Sequence, residues 1–233
     1  LYRSLLPAHH PLICMIKADG YGTGAFELAR TLQEHRVEYL AVAVADEGRE
    51  LRDRGIRTHI MIMNPELSVA ETLFSHHLEP EVYSFELLEG LAERARLAGL
   101  SAFPIHIKVD SGMHRLGFAP SELSAVGSYL REHPELRVSS VFSHLASADE
   151  PELRAFTEGQ AKAFLSATEL LSEALGYQPK RHLLNTAGIE RFPEYALDMA
   201  RLGIGLYGIS PTNYPGIEPI ARLSTVILQT REL

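Results

Sequence analysis

The stretch ICMIKADGYGTG, residues 13–24, runs through four apolar residues, stops on Lys17, and turns through Gly20, Tyr21, Gly22 and Gly24. A chain that ends a buried strand on an amine and then bends sharply is presenting that amine at an edge. The pattern around it decides the fold, because apolar runs of this kind recur with helical segments between them. Strands are read at 12–16, 39–44, 59–63, 78–83, 105–109, 138–142, 181–185 and 196–201. Most are apolar throughout rather than alternating, as in a parallel sheet covered on both faces.

The connecting segments carry the helical period. In 24–35, Ala25, Leu28, Ala29 and Leu32 follow the i, i+3, i+4, i+7 rule. Ser84 is placed to cap a helix bearing Leu87, Leu88, Leu91 and Ala95 and ending at Gly99. In 150–175, Pro151 sits in the first turn and Asp149 with Glu152 forms a capping-box pattern. Leu153, Phe156, Phe164, Ala167 and Leu171 there read as one buried stripe. Eight strands alternating with helices predict an α/β fold of the (β/α)8 TIM type. A doubly wound open sheet is the alternative.

The chain has 233 residues, 45% of them hydrophobic, enough for one large domain. Its formal charge of −8, with no Lys/Arg cluster, argues against nucleic acid or an anionic membrane as partner. No apolar stretch is long enough for a membrane span. One cysteine, Cys14, excludes an intramolecular disulfide and a Cys-based zinc site. A cytoplasmic setting is the simplest reading. The Pro/Gly-rich TNYPGIEP at 212–219 suggests a boundary, with residues 1–217 the barrel and 218–233 the first strand of a further, truncated β-domain.

In a barrel the active site lies at the C-terminal ends of the strands. The polar residues there are Lys17; Lys108, Asp110 and Arg115; His144; Asn185 and Thr186; then Arg201 with Gly203 and Ile204. Each has an ordinary reading: a solvated lysine, a hydrogen-bonded structural histidine, an Asp110–Arg115 surface pair, an Asn-Thr turn. The three glycines match neither the dinucleotide fingerprint nor the P-loop. Together, however, cations and small donors on one rim suit an anionic cofactor with a reactive carbonyl. Barrels commonly seat phosphate at the loops after strands 7 and 8.

IKADGYGTG, KVDSGMHRLG, SHLASADE, LNTAG and ARLGIGLYGISP, in this order, resemble the motifs of the alanine racemase family, fold-type III enzymes dependent on pyridoxal 5′-phosphate. The resemblance spans essentially the whole chain. It implies that Lys17 carries the cofactor as a Schiff base and acts as one acid/base group. It implies that Tyr21, Asn185, Thr186 and the backbone of Gly203 and Ile204 hold the phosphate. Arg201 would face the pyridine nitrogen, with His144 hydrogen-bonded to it, and Arg115 would reach the phenolic oxygen and the substrate carboxylate. Thr23 departs from the family, which often has histidine after Tyr-Gly.

The same resemblance implies interconversion of L- and D-alanine for peptidoglycan synthesis by a cytoplasmic homodimer. The second base would be a tyrosine from the partner's C-terminal domain, which no residue of 1–233 matches, so this chain alone would racemise alanine poorly. Lys108 beside Arg115 poses a charge problem of roughly 4 kcal/mol at ~4 Å and a surface-like dielectric. Carbamylation, as in many family members, would convert that repulsion into a pair. The alternatives are another enzyme of the same fold type, such as a serine racemase or an amino-acid decarboxylase, and a non-catalytic barrel that binds pyridoxal phosphate. A cofactor-free barrel hydrolase would need paired carboxylates at strand ends, and apart from Asp110 the reading finds none.

Overall fold

The structure is a computed structural model that describes residues 1–222 and 224–232. Eight parallel strands form a ring: β1 (Leu12–Met15), β2 (Tyr39–Val42), β3 (His59–Ile62), β4 (Leu78–Val82), β5 (Phe103–Lys108), β6 (Leu136–Phe142), β7 (Lys180–His182) and β8 (Ala200–Leu202). Sequential strands pair from β1 to β7, and β8 pairs with β1. The β7/β8 seam closes through the bridge His182↔Met199 and through the Arg201 N–H, which donates to the Leu184 carbonyl at 2.9 Å. The (β/α)8 expectation holds.

Side-chain alternation along each strand sorts the core into two bodies. Leu12 and Cys14, Leu40 and Val42, Ile60 and Ile62, Ile105 and Ile107 belong to the outer cluster that packs under the helices. Ile13, Tyr39, Ala41, Met61, Phe142 and Met199 form a smaller inner cluster inside the ring. On β4 to β8 the inward positions turn polar: Glu79 and Glu81, His106 and Lys108, Ser140, His182, Arg201, all buried. The interior is thus mainly apolar on the side of β1 to β3 and mainly hydrogen-bonded on the other, where Phe142 and Met199 still pack inward.

Each expected strand is present in part, with one displaced. Residues 196–199 are not strand: Ala196 closes the 3-10 turn Pro193–Tyr195 and Leu197 has φ of +53°, outside the β region. The helix Arg154–Leu175 starts after a 3-10 turn, with Glu150 preceding that turn and no side-chain cap from Asp149. Leu153 and Phe156 are exposed; the buried stripe runs through Thr157, Gln160, Ala161, Phe164, Thr168 and Leu171. Phe156 sits one residue out of phase with that stripe. Residues 224–232 form no strand where a β-domain's opening strand was expected, since a strand needs a ladder partner and none lies against them. Leu223 and Leu233, in the same expected strand, lie outside the described residues.

Two ties fasten the ends of the barrel. The Tyr2 hydroxyl donates to Glu190 Oε1 at 2.7 Å, and the Ser210 hydroxyl donates to Glu190 Oε2 at 2.9 Å. No helix among the described residues is long and apolar enough to cross a membrane.

In the helix Phe85–Leu97 the Ser84 side chain accepts the Leu87 N–H at 3.3 Å, as the sequence predicts. Ser84→Ala should cost about 1 kcal/mol. A thermal melt should show a loss of about 2–4 °C for a chain of this size.

Candidate active site

The C-terminal strand ends enclose a cavity of about 410 Å³, within the range of small-ligand sites. Lys17, Tyr21, Lys108, Arg115, His144, Asn185, Thr186, Arg201, Gly203 and Ile204 all line it. The sequence therefore names ten residues that the fold gathers at one place. Four cationic side chains against the single lining carboxylate of Asp149 make this a positive focus in a chain of net charge −8.

Lys17 stands at the head of an unusual turn. Ala18, Asp19, Gly20, Tyr21 and Gly22 all have positive φ, between 51° and 86°. A left-handed run costs roughly 1–2 kcal/mol for each non-glycine residue, so it needs fastening. The Ala18 N–H donates to Glu47 Oε1 at 2.7 Å, and the Ala43 N–H donates to Glu47 Oε2 at 2.7 Å. The Asp19 carboxylate accepts the Ala25 N–H at 2.8 Å and so starts the helix Ala25–Glu34. Thr23, at the position of the family's frequent histidine, donates its hydroxyl to the Gly20 carbonyl at 2.6 Å.

On the far side, the Thr186 Oγ1 accepts the N–H groups of Gly203 (3.1 Å) and Gly205 (3.2 Å). Its own proton is left for the cavity. The Gly203 N–H, expected to serve a ligand, is directed at the Thr186 hydroxyl in this structure. The Ile204 N–H opens the 3-10 turn Ile204–Tyr207 and has no intrahelical acceptor. Gly205 must lack a side chain, because a Cβ there would lie 2.4 Å from the Tyr2 hydroxyl. Asn185 is committed to structure: its Oδ1 accepts the Gly188 N–H at 2.9 Å and its Nδ2 donates to the Leu145 carbonyl at 3.1 Å. The Tyr21 ring packs 4.6 Å from that of Tyr207, whose hydroxyl donates to the Met15 carbonyl.

Arg201 is buried, and its guanidinium donates to His182 Nδ1 at 2.7 Å and to the carbonyls of His182, Leu183 and Ser143. The expected His144 partner is a correction: the histidine that touches Arg201 is His182, which is nearest in the ring because β7 adjoins β8. His144 instead faces Asn185 Nδ2 at 3.5 Å. Burial, then the cations Arg201, Arg115, Lys108 and Lys17, push its imidazole down to about 3, so it is neutral.

Lys108 is also paired differently from the expectation. Its Nζ donates to Glu81 Oε1 at 3.0 Å, with both side chains buried. Burial pushes the amine down and the Glu81 carboxyl up, and their mutual attraction opposes both shifts. The repulsion that motivated a carbamate thus meets a resident anion. Asp110 does not pair with Arg115; it accepts the N–H groups of Gly112 and His114 and shapes the loop. Arg115, exposed at the rim, makes no ion pair among the described residues.

Sequence reasoning missed Glu81, His182, Met15, Met63, Asn64, Phe142 and Asp149. A signal existed for Glu81: it and Glu79 stand two apart in an otherwise apolar strand, hence on one face. His106 and Lys108 repeat that spacing on β5. The small and apolar lining residues have no chemical signature at all.

The sequence profile described as alanine racemase, N-terminal domain, matches residues 1–211. The chain belongs to that family. An alanine racemase of Sorangium cellulosum is 38% identical over all of this chain, which spans 63% of that protein. An alanine racemase 1 of Oceanobacillus iheyensis is 40% identical over 90% of the chain and is 56% covered. The solved alanine racemase of Clostridium difficile 630 superposes with a TM-score of 0.87 at 32% identity, across 94% of this chain and 58% of that one. The chain thus spans about three-fifths of the length of the relatives it matches.

Two outcomes follow from the site's charges. His144 stays neutral when folded down to about pH 3 but protonates near its ordinary 6.5 when unfolded. The unfolded state then binds more protons, so stability should fall as pH drops from 6.5 toward 3. His144→Asn should flatten that slope in urea midpoints measured across the window. For Lys108, carbamylation requires the neutral amine to attack carbon dioxide: a C–N bond forms, one C=O pair moves to oxygen, and nitrogen loses a proton. With 13C-bicarbonate, NMR should show no Lys108 carbamate in the native chain and a carbamate resonance in Glu81→Ala.

Proposed function

We propose that residues 1–217 form the cofactor barrel of an enzyme that interconverts L- and D-alanine, with 218–233 leading into a further β-domain. The observation that supports this best is the single cavity joining the Lys17 amine to the Thr186 and Ile204 donors. The donor set fits pyridoxal 5′-phosphate: an amine for the aldehyde, a hydroxyl proton and a backbone N–H for the phosphate, and cations around an anion. Tyr21, at the mouth, adds a phenolic donor.

When bound, pyridoxal phosphate supplies an electron sink that acidifies the substrate's α-carbon. The rest falls to the chain. Arg201 cannot give up a proton at neutral pH and cannot accept one, so a pyridine nitrogen held beside it would be left unprotonated. The sink would then be weaker and return of the proton favoured over side reactions, the restraint a racemase needs. Decarboxylases of this fold type generally place an acid there, which counts against that reading. Lys17 holds and returns the proton on one face. Arg115, at the rim and without an ion pair among the described residues, is available to the substrate carboxylate, and Lys108 is held by Glu81. Asn185 and His144 shape the wall between strands.

The opposite face needs a second base, which we assign to a tyrosine of the further domain in a homodimeric partner. D-alanine supply for peptidoglycan in the cytoplasm follows from the same reading. Turnover by residues 1–233 alone should be very low.

Incubation with pyridoxal phosphate, borohydride reduction and peptide mapping should place the label on Lys17, and Lys17→Ala should abolish it. Labelling elsewhere, or none, would overturn the reading.

A further inference from the structure

On six consecutive strands, β3 to β8, one polar side chain of each touches the next in series. His59 Nδ1 lies 2.6 Å from Glu79 Oε1, and Glu79 Oε2 lies 2.9 Å from His106 Nε2. His106 Nδ1 lies 2.6 Å from the Ser140 hydroxyl, which lies 2.8 Å from His182 Nε2. His182 Nδ1 meets Arg201 Nη1 at 2.7 Å. The series begins at the exposed His59 at the bottom of β3 and ends at the buried guanidinium in the cavity wall.

The proton positions follow from chemistry. Arginine has no acceptor, so Arg201 donates and His182 Nδ1 accepts. A neutral His182 then carries its proton on Nε2 and donates to Ser140. The Ser140 hydroxyl proton has one acceptor left among its partners, His106 Nδ1. His106 therefore holds its proton on Nε2 and donates to Glu79. The Glu79 carboxylate also accepts from His59 and from the Tyr39 hydroxyl at 3.3 Å. Every donor between Arg201 and Glu79 points the same way, from a buried cation to a buried anion. Bonds aligned head to tail polarise one another, so the ends are coupled through the middle.

We propose that Glu79, on β4 across the ring from Arg201 on β8, is a positioning residue for Arg201: through His106 and Ser140 it fixes the tautomer of His182 and so holds the guanidinium in place. The direction of the shifts agrees. Burial alone would raise Glu79, yet hydrogen bonds from His106 and His59 hold it at about 2, and burial with Arg201 keeps His182 far below the ordinary imidazole range. The relay itself stands on the geometry of the chain; its bearing on catalysis rests on the proposed function.

The test is the state of the His182 ring, read by long-range 1H–15N correlation in histidine-labelled protein. The native chain should show His182 protonated on Nε2 with Nδ1 as acceptor. Glu79→Ala should shift or broaden the His182 resonances although Glu79 does not touch that ring. Glu79→Gln, whose carbonyl can still accept from His106, should restore them. Ser140→Ala removes one hydroxyl from the middle and should have the effect of Glu79→Ala, which keeps the test open if Glu79→Ala fails to fold. A native His182 protonated on Nδ1, or His182 signals untouched by a folded Glu79→Ala, or by Ser140→Ala where Glu79→Ala does not fold, would overturn the relay. In the full-length protein, Glu79→Ala should lower kcat for alanine several-fold with KM little changed, a smaller loss than removing His182, the direct partner of Arg201, would cause. An intact NMR result with no label on Lys17 would instead sink the functional reading and leave the relay standing.

Discussion

The constraint on which the site depends is the burial of Arg201. A guanidinium taken out of water must find acceptors for its donors, and an unpaired one is ruinous. Here the carbonyls of Ser143, His182 and Leu183 and the ring of His182 supply them. Those groups lie where β6 and β7 end, so they converge on Arg201 only if the ring of strands closes at the β7/β8 seam. Closure of the fold and satisfaction of this one side chain are the same event.

From that point the division of the interior makes sense. On β1 to β3 the inward positions hold Ile13, Ala41 and Met61, which pack and demand nothing further, and Tyr39, whose hydroxyl donates to Glu79. On β4 to β8 each inward polar group must find its partner on the next strand, and the register of the parallel ladder sets whether it does. His106 is aligned with Ser140 across β5 and β6 after a register shift between Ile105 and His106. Without that irregularity the imidazole would face a different neighbour.

Much of this was legible from residue order alone. The apolar runs and helical spacings located eight strands, and the polar residues just beyond them named the cavity wall. The misreadings share a cause. His144 was matched with Arg201 by motif, whereas the actual contact is set by which strands adjoin. That the Gly203 N–H and the Thr186 hydroxyl lie together is likewise invisible in residue order, 17 positions apart. The β8 boundary differs because Ala196, Leu197 and Met199 look like strand residues, whereas the chain kinks at Leu197 and the Asp198 carboxylate accepts the Arg181 N–H. Glu79 and Glu81 were overlooked because they sit in an apolar run, although their two-residue spacing places both on the inner face.

The left-handed turn after β1 has a consequence for how such a chain can drift. Five residues in a row are wound against the usual hand, and Glu47 and Asp19 pin the turn at both margins. Ala18, whose side chain holds nothing in place, can be exchanged at modest penalty, but the count of residues cannot change. One inserted or deleted position would rotate Lys17 or unpin the following helix, so among descendants of this barrel the segment should keep its length even where a letter changes.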